Sequence, residues 1–199
     1  MSVELRQLRP AEYALWRADV ARLRIEVFRA FPYLYDGDVG YEERYLDTYA
    51  QSVDSLWVLA LDGERVVGAS TGLPLADEDE AFQQPFIERG IDPQRVFYFG
   101  ESVLLPAYRG LGLGHGFFDA REAHARALGR FDWTAFAAVD RAIDDPRRPA
   151  SHRDNDAFWA KRGYARQPGM GFRLGWKEIG EPAESEKPLT YWLRKLEAG

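Results

Sequence analysis

The 199-residue chain is 46% hydrophobic with a net charge of −6, which is enough apolar content to bury a substantial core in one domain, 1–199. It has no cysteine, which excludes a disulfide framework, a thiolate nucleophile and a cysteine metal site, and its acidity argues against nucleic acid or anionic lipid as a partner. No apolar run approaches the roughly 20 residues of a membrane span, and the start, MSVELRQLRP, has no apolar leader, so the expected location is the cytoplasm.

Residues 2–8 alternate enough for an edge strand, and Pro10 then opens an amphipathic helix with Tyr13, Trp16, Val20, Leu23 and Val27 at steps of three and four, closed by Phe31-Pro32. Tyr41, Tyr45 and Tyr49 mark a second helix, and SLWVLAL, Asp62-Gly63 and RVVGASTG read as a hairpin. Residues 74–95 interrupt the pattern with an acidic stretch, Asp77 to Glu80, followed by Phe82, Pro85 and Phe86; they read as an insertion with a short helix. A single strand is expected over 96–105. A helix follows to about Leu128, with the stripe Leu113, Phe117, Ala120, His124 and Ala127, which makes His124 a packed residue rather than a ligand. Trp133 to Val139 is a further strand, 155–162 a short helix, and 171–176 and 188–196 the last two strands.

The segment that carries chemistry is 101–118, ESVLLPAYRGLGLGHGFF. Gly110, Gly112 and Gly114 remove side chains that would hold a phosphate away from the main chain, and the helix that follows leaves its first amides unpaired. The helix dipole and the guanidinium of Arg109 add positive charge, so a diphosphate is the natural ligand. A dinucleotide fingerprint does not fit, because counting from Gly110 or Gly112 puts His115 or Phe117 where its last glycine belongs; a triphosphate loop does not fit, because no Gly-Lys-Ser/Thr is present.

VLLPAYRGLGLG resembles the coenzyme A signature of the GNAT acyltransferases, Arg/Gln-x-x-Gly-x-Gly/Ala, which residues 109–114 match without a gap. The element order resembles that family's α/β fold along nearly the whole chain, with a mixed central sheet of about seven strands flanked by helices. VFRAFPYLYDGD, DAFWAKRGY and the final WKEIGEPAESEKPLTYWLRKL further resemble a GNAT branch of unassigned substrate, some of whose relatives are fused to carbon-nitrogen hydrolases. The resemblance implies an N-acetyltransferase that uses acetyl-CoA and no metal, acting on a small-molecule or peptide amine in a ternary complex; a homodimer is left open. It implies that Val103, Leu104 and Leu105 line the pantetheine arm, that Arg109, Gly110, Leu111, Gly112, Leu113, Gly114 and His115 receive the pyrophosphate, and that Asn155 and Phe158 flank the arm. Arg147, Arg148 and Arg153 read as a solvated basic loop within reach of the adenosine end.

Attack by an amine on a thioester requires a deprotonated nitrogen, and an alkyl ammonium with a pKa near ~10.4 is protonated at neutral pH. Glu101, in the apolar strand YFGESVLL, is the candidate base; burying a lone carboxylate costs several kcal/mol unless it is paired. The family's usual acid is a tyrosine four residues before a Gly-aromatic pair, but here Trp159 precedes Gly163-Tyr164 at that spacing, and an indole donates a hydrogen bond without giving up a proton. Tyr164, Tyr98, His115, His152 or water must then protonate the thiolate. Tyr33, Tyr35 and Asp36, at the joint between the first two helices, are the expected acceptor lining together with Trp159, aromatic faces beside carboxylates that suit a cation. Two other readings stand beside the enzyme: a coenzyme A-binding regulatory domain, and an interaction protein that uses the aromatics of 82–86.

Overall fold

The computed structural model describes residues 3–197. Apolar stretches assemble one sheet from β1 (Val3–Leu8), β2 (Leu56–Asp62), β3 (Arg65–Pro74), β4 (Val96–Tyr98), β5 (Ser102–Leu104), β6 (Trp133–Val139), β7 (Ala165–Trp176) and β8 (Ser185–Lys195). The spatial order is β1-β2-β3-β4-β6-β8-β7, with β5 beside β3. β4 and β6 are parallel and the other pairs antiparallel, so the sheet is mixed. The α-helices among the described residues are α1 (Tyr13–Phe28), α2 (Val39–Gln51), α3 (Glu80–Ile87), α4 (Leu113–Leu128) and α5 (Asp156–Lys161). Residue 2 of the expected first strand lies outside the described residues.

The one strand expected over 96–105 is two, which raises the strand number to eight. The cause is a bulge: Gly100 N–H donates to the Thr71 carbonyl at 3.2 Å, while Thr71 N–H donates to the carbonyl of Glu101 at 3.1 Å, so one residue of β3 faces two. Glycine is required at position 100, because a Cβ there would sit 1.7 Å from Tyr49 Oη and 2.7 Å from Thr71 Oγ1. Before the bulge the chain follows β6, the last bond being Phe99 N–H to the Ala135 carbonyl at 2.8 Å. After it, β5 stays with β3 and leaves β6. β4 is buried throughout because both its faces are covered: Phe97 packs edge-on to His124 of α4 and Tyr98 to Phe82 of α3.

The elements follow the expected order, and differ from it in detail at α2, β7 and β8, the last of which begins at Ser185. α2 buries Glu42, Leu46 and Tyr49 while Tyr41 is exposed, so its inner face is rotated from the 41-45-49 row. β7 begins at Ala165, ahead of the expected 171, because a register shift between Arg166 and Gly171 separates two paired segments. In the stretch after β3, Phe82 and Phe86 are buried against the sheet, and Phe82 packs at a tilt on Phe172 of β7, ring centroids 4.4 Å apart. This corrects the interaction reading, which needs those aromatics free.

Candidate active site

Parting of β5 from β6 opens a wedge whose two inner edges have no strand partner. Glu101 and Leu105 bond to β3 through Thr71 and Val67; antiparallel alternation then turns the main-chain groups of Val103 toward β3 and those of Ser102 and Leu104 into the wedge. By the same alternation Ala137 of β6 faces them. A cleft of ≈ 940 Å³ fills this space, lined by Ser102 and Leu104 on one side and Phe136 to Asp140 on the other. A smaller hollow of ≈ 290 Å³, at Thr48, Ser52 and Asp77, contains none of the expected site residues.

At the open end of the wedge stands the glycine loop. Gly110 and Gly112 have φ of 80° and 81°, a left-handed backbone that disfavours other residues, and a Cβ on either would meet nothing within 4 Å. The first bonds into α4 run from His115 and Gly116 to the Gly112 carbonyl, so the amides of Leu113 and Gly114 have no carbonyl ahead of them. Arg109 turns back, its Nε 3.2 Å from the Leu104 carbonyl. The loop therefore presents open amides, a helix N-terminus and a guanidinium, which fits a diphosphate.

At the closed end, on the bulge, sits Glu101, 8% exposed and bordering the cleft. It is not a lone carboxylate: Arg24 Nη1 lies 2.5 Å from its Oε2, and the Arg24 Nε donates to Glu42. Neither Glu101 oxygen accepts a hydrogen bond of ordinary geometry, so both retain acceptor capacity. The carbonyl of Glu101 is held by Arg121, whose Nη1 donates to it and to the Thr71 carbonyl, each at 3.1 Å. Burial pulls the Arg121 guanidinium down to about 10, and its plane is sandwiched near Phe99 and Phe118, 4.1 and 4.9 Å from the ring centroids. Arg121 fastens the bulge; Arg24 fastens the carboxylate.

No protein-family model matches the chain, and no curated protein matches it in sequence. Solved structures do match over essentially their whole lengths. A Desulfovibrio desulfuricans protein assigned to the GNAT family of acetyltransferases is 12% identical with a TM-score of 0.58, covering 98% of this chain and 100% of that one. The YncA protein of Salmonella typhimurium, assigned as an acetyltransferase and solved with its cofactor acetyl-CoA, is 10% identical with a TM-score of 0.59 and covers 100% and 96%. The ribosomal-protein-alanine N-acetyltransferase of Brucella melitensis is 12% identical with a TM-score of 0.61 and covers 97% and 99%. The chain has the GNAT acetyltransferase fold.

On this GNAT frame the expected site residues separate into those that meet at the cleft and those that do not. Glu101, Leu104, Arg109, Gly114, Asn155, Phe158, Trp159 and Tyr33 border it. Gly110, Leu111 and Gly112 are exposed on the loop, and His115 packs edge-on to Phe158 at 4.9 Å with Arg162 Nη1 3.2 Å from its Nδ1. Leu113 is buried as the first residue of α4. Val103 and Leu105 do not line the cleft; they are buried, with their main chain committed to β3. Tyr35 and Asp36 also turn away, because a bridge from Tyr35 to Glu178 ties this joint to the segment after β7 and Asp36 pairs with Lys177 on the surface.

Of the four acids named from sequence, His152 borders the cleft, edge-on to Phe31 and 3.2 Å from Asp154. Tyr164 does not: its hydroxyl is buried between Thr134 and Glu122, and burial pushes it up. Tyr98 is likewise inside, its phenol raised by burial. His124 is packed, as expected, with Nδ1 2.9 Å from Arg9 and Nε2 2.7 Å from the Asp54 carbonyl. Arg147 and Arg148 are engaged with Asp145, Glu178 and Asp154. Sequence reasoning missed Arg24 and Arg121. Each stands four residues after a core residue, Val20 and Phe117, inside an apolar row, and that is the signal that could have found them.

Proposed function

We propose that this chain is an acetyl-CoA-dependent N-acetyltransferase acting on a primary amine by direct attack in a ternary complex. The observation that carries this reading is a wedge with free strand edges that runs from an open-amide glycine loop to one buried, acceptor-capable carboxylate. The amides of 112–114 and Arg109 hold the diphosphate, and Leu104 and Ala137 offer the peptide groups that an amide-bearing arm pairs with. The thioester supplies an activated acetyl carbon. As the nitrogen bonds to that carbon and the carbon–sulfur bond breaks, Glu101 takes one ammonium proton, directly or through water, and the second N–H proton goes to sulfur by way of His152 or water. Trp159, packed 4.9 Å from Phe136 and 5.1 Å from Trp192, shapes the cleft. Thiol release from acetyl-CoA across amines, amino acids, aminoglycosides and protein lysines tests the reading; binding of acetyl-CoA with no turnover of any of them would overturn catalysis.

The regulatory alternative is favoured by one observation, the absence of a phenol at Trp159 together with the sequestered Tyr164 hydroxyl. It predicts tight coenzyme A binding, no thiol release, and no effect of Glu101→Gln.

A further inference from the structure

The departing sulfur needs a hydrogen-bond donor, and the side chains that a phenol would replace do not supply one. Trp159 carries an indole with no acidic proton, and Tyr98 and Tyr164 are buried and do not border the cleft. Ser102, the first residue of β5, is exposed and does border it. Arg121 Nη2 donates to its Oγ at 2.8 Å. A guanidinium has donors and no acceptor, so the serine oxygen receives that bond and its own proton is left to give. The other partner of Ser102 Oγ among the described residues, Ser70 Oγ, is 3.5 Å away, beyond the roughly 2.5–3.0 Å of a hydroxyl pair. Ser102 therefore keeps an uncommitted O–H at the wall of the cleft.

That hydroxyl is held from behind. Arg121 is 1% exposed, and its other nitrogens are spent on carbonyls, Nε on Phe117 at 3.2 Å and Nη1 on Thr71 and Glu101 at 3.1 Å each. The guanidinium thus fixes the serine oxygen and sets a positive charge beside it where water screens little. Position along the wedge adds the second argument. A cofactor arm anchored at 112–114 runs beside β5 past Leu104 and Ser102 before it reaches Glu101 at the closed end. The acyl carbon must come within reach of Glu101 for the attacking nitrogen to lose its proton, and the sulfur bonded to that carbon on the arm's side then stands one step back toward the loop. A strand advances about 3.4 Å per residue, and the step back from Glu101 is Ser102.

We propose that Ser102 is a catalytic residue that donates its hydroxyl proton to the departing sulfur, its oxygen held and polarised by Arg121. This rests on the acetyltransferase reading and makes Ser102 the last donor on the water route to sulfur. As nitrogen bonds to the acetyl carbon, the carbon–sulfur bond breaks and its electron pair stays on sulfur. The Ser102 proton moves to sulfur while Ser102 Oγ takes up, through water, the second proton that the nitrogen releases. Ser102 and Arg121 end the step as they began it.

The test reads the cofactor's thiol directly. The chain has no cysteine, so in a complex with coenzyme A the ultraviolet thiolate absorbance belongs to the ligand alone. Wild type, Ser102→Ala and Ser102→Thr, each saturated with coenzyme A, are titrated with pH, and kcat and KM for acetyl-CoA are measured in parallel with an amine that wild type turns over. A hydrogen bond to ionised sulfur stabilises it, so Ser102→Ala is expected to raise the pH at which the bound thiol ionises by about one to two units. The same loss lowers kcat by about 10- to 100-fold with KM and coenzyme A affinity at neutral pH unchanged. Ser102→Thr keeps the hydroxyl and is expected to stay near wild type in both. An unmoved thiol titration in Ser102→Ala overturns the proposal even if kcat falls, because the hydroxyl then serves only to hold Arg121; an equal shift in Ser102→Thr overturns it too. If Ser102→Ala fails to fold, Ser102→Val against Ser102→Thr, alike in shape and different in the hydroxyl, decides by the same shift. Failure of coenzyme A to bind overturns the cofactor reading and Ser102 together, whereas binding and turnover with an unmoved titration overturn Ser102 alone.

Discussion

Replacing Gly100 by alanine tests whether the bulge sets the position of Glu101. The added methyl would lie 1.7 Å from Tyr49 Oη, 2.7 Å from Thr71 Oγ1 and 2.9 Å from Tyr49 Cζ, so ring and strand must separate by more than about 1 Å to reach ordinary contact. Neither side yields readily. Tyr49 is fully buried and bonded to Tyr45, and the strand is pinned by two backbone bonds to Thr71 and two from Arg121. Overpacking of this kind costs about 1–3 kcal/mol and a lost buried hydrogen bond about 1 more. The expected destabilisation of about 2–4 kcal/mol lowers the thermal midpoint by roughly 5–15 °C in a chain of this size. Gly114→Ala is the control: its methyl would sit 3.6 Å from Phe158 Cζ in a helix, and it should leave the midpoint unchanged or raise stability by about 0.5–1 kcal/mol. Calorimetric unfolding and thiol-release rates decide. A Gly100→Ala protein with wild-type midpoint and wild-type turnover would refute the reasoning.

Gly112→Asp should abolish acetyl-CoA binding by calorimetry, since a carboxylate at a φ of 81° in the open face of the loop both strains the backbone and repels a diphosphate; unchanged affinity would dismiss the loop as the anion site. Glu101→Gln should lower turnover by about 10²- to 10⁴-fold at neutral pH with little change in cofactor affinity, and equal rates would return Glu101 to a structural role beside Arg24. Because burial, then Asp79 and Glu101, raise Glu78 from 4.5 to about 7, the folded state holds that proton more tightly than the unfolded one. Its stabilisation is full below about pH 4.5 and is lost as pH rises through about 7. Glu78→Gln should therefore gain on wild type by up to about 3 kcal/mol between pH 4.5 and 8, and a pH-independent difference in denaturant unfolding would contradict it. Trp159→Phe should reduce rate less than about tenfold and preserve the pH profile, since it forfeits contact area and at most a hydrogen bond of ~1 kcal/mol.

What was legible in the sequence is what local chemistry dictates. The 3.6-residue spacing marks α1 and α4, the Asp62-Gly63 turn marks the β2–β3 hairpin, and the glycines of 110–114 mark the loop that opens α4. The break inside 96–105 was hidden because apolar runs, 96–99 and 103–105, flank Gly100-Glu101-Ser102 on both sides, and only the approach of Tyr49 from α2, 51 residues earlier in the chain, shows why that glycine is there. The partnership of Arg24 with Glu42 and Glu101 is likewise long-range, and charged residues inside an apolar row look like surface positions until burial is known. Tyr35 and Asp36 were assigned to the acceptor lining as an aromatic face beside a carboxylate at the joint of the first two helices, yet their orientation is decided by the segment after β7, far along the chain.

The wedge also leaves this protein with two sheet edges that most folds of its size do not expose in their interior. An unpaired edge is a template for foreign strands, and here it is blunted by brevity, since β5 has only three residues, and by the Arg109 side chain lying across the Leu104 carbonyl. A ligand that fills the wedge with its own peptide groups removes the template altogether and adds about 2.7 kcal/mol at a hundredfold excess over its dissociation constant. A ligand seated in that gap would thus raise the protein's resistance to heat with no change in its amino acids.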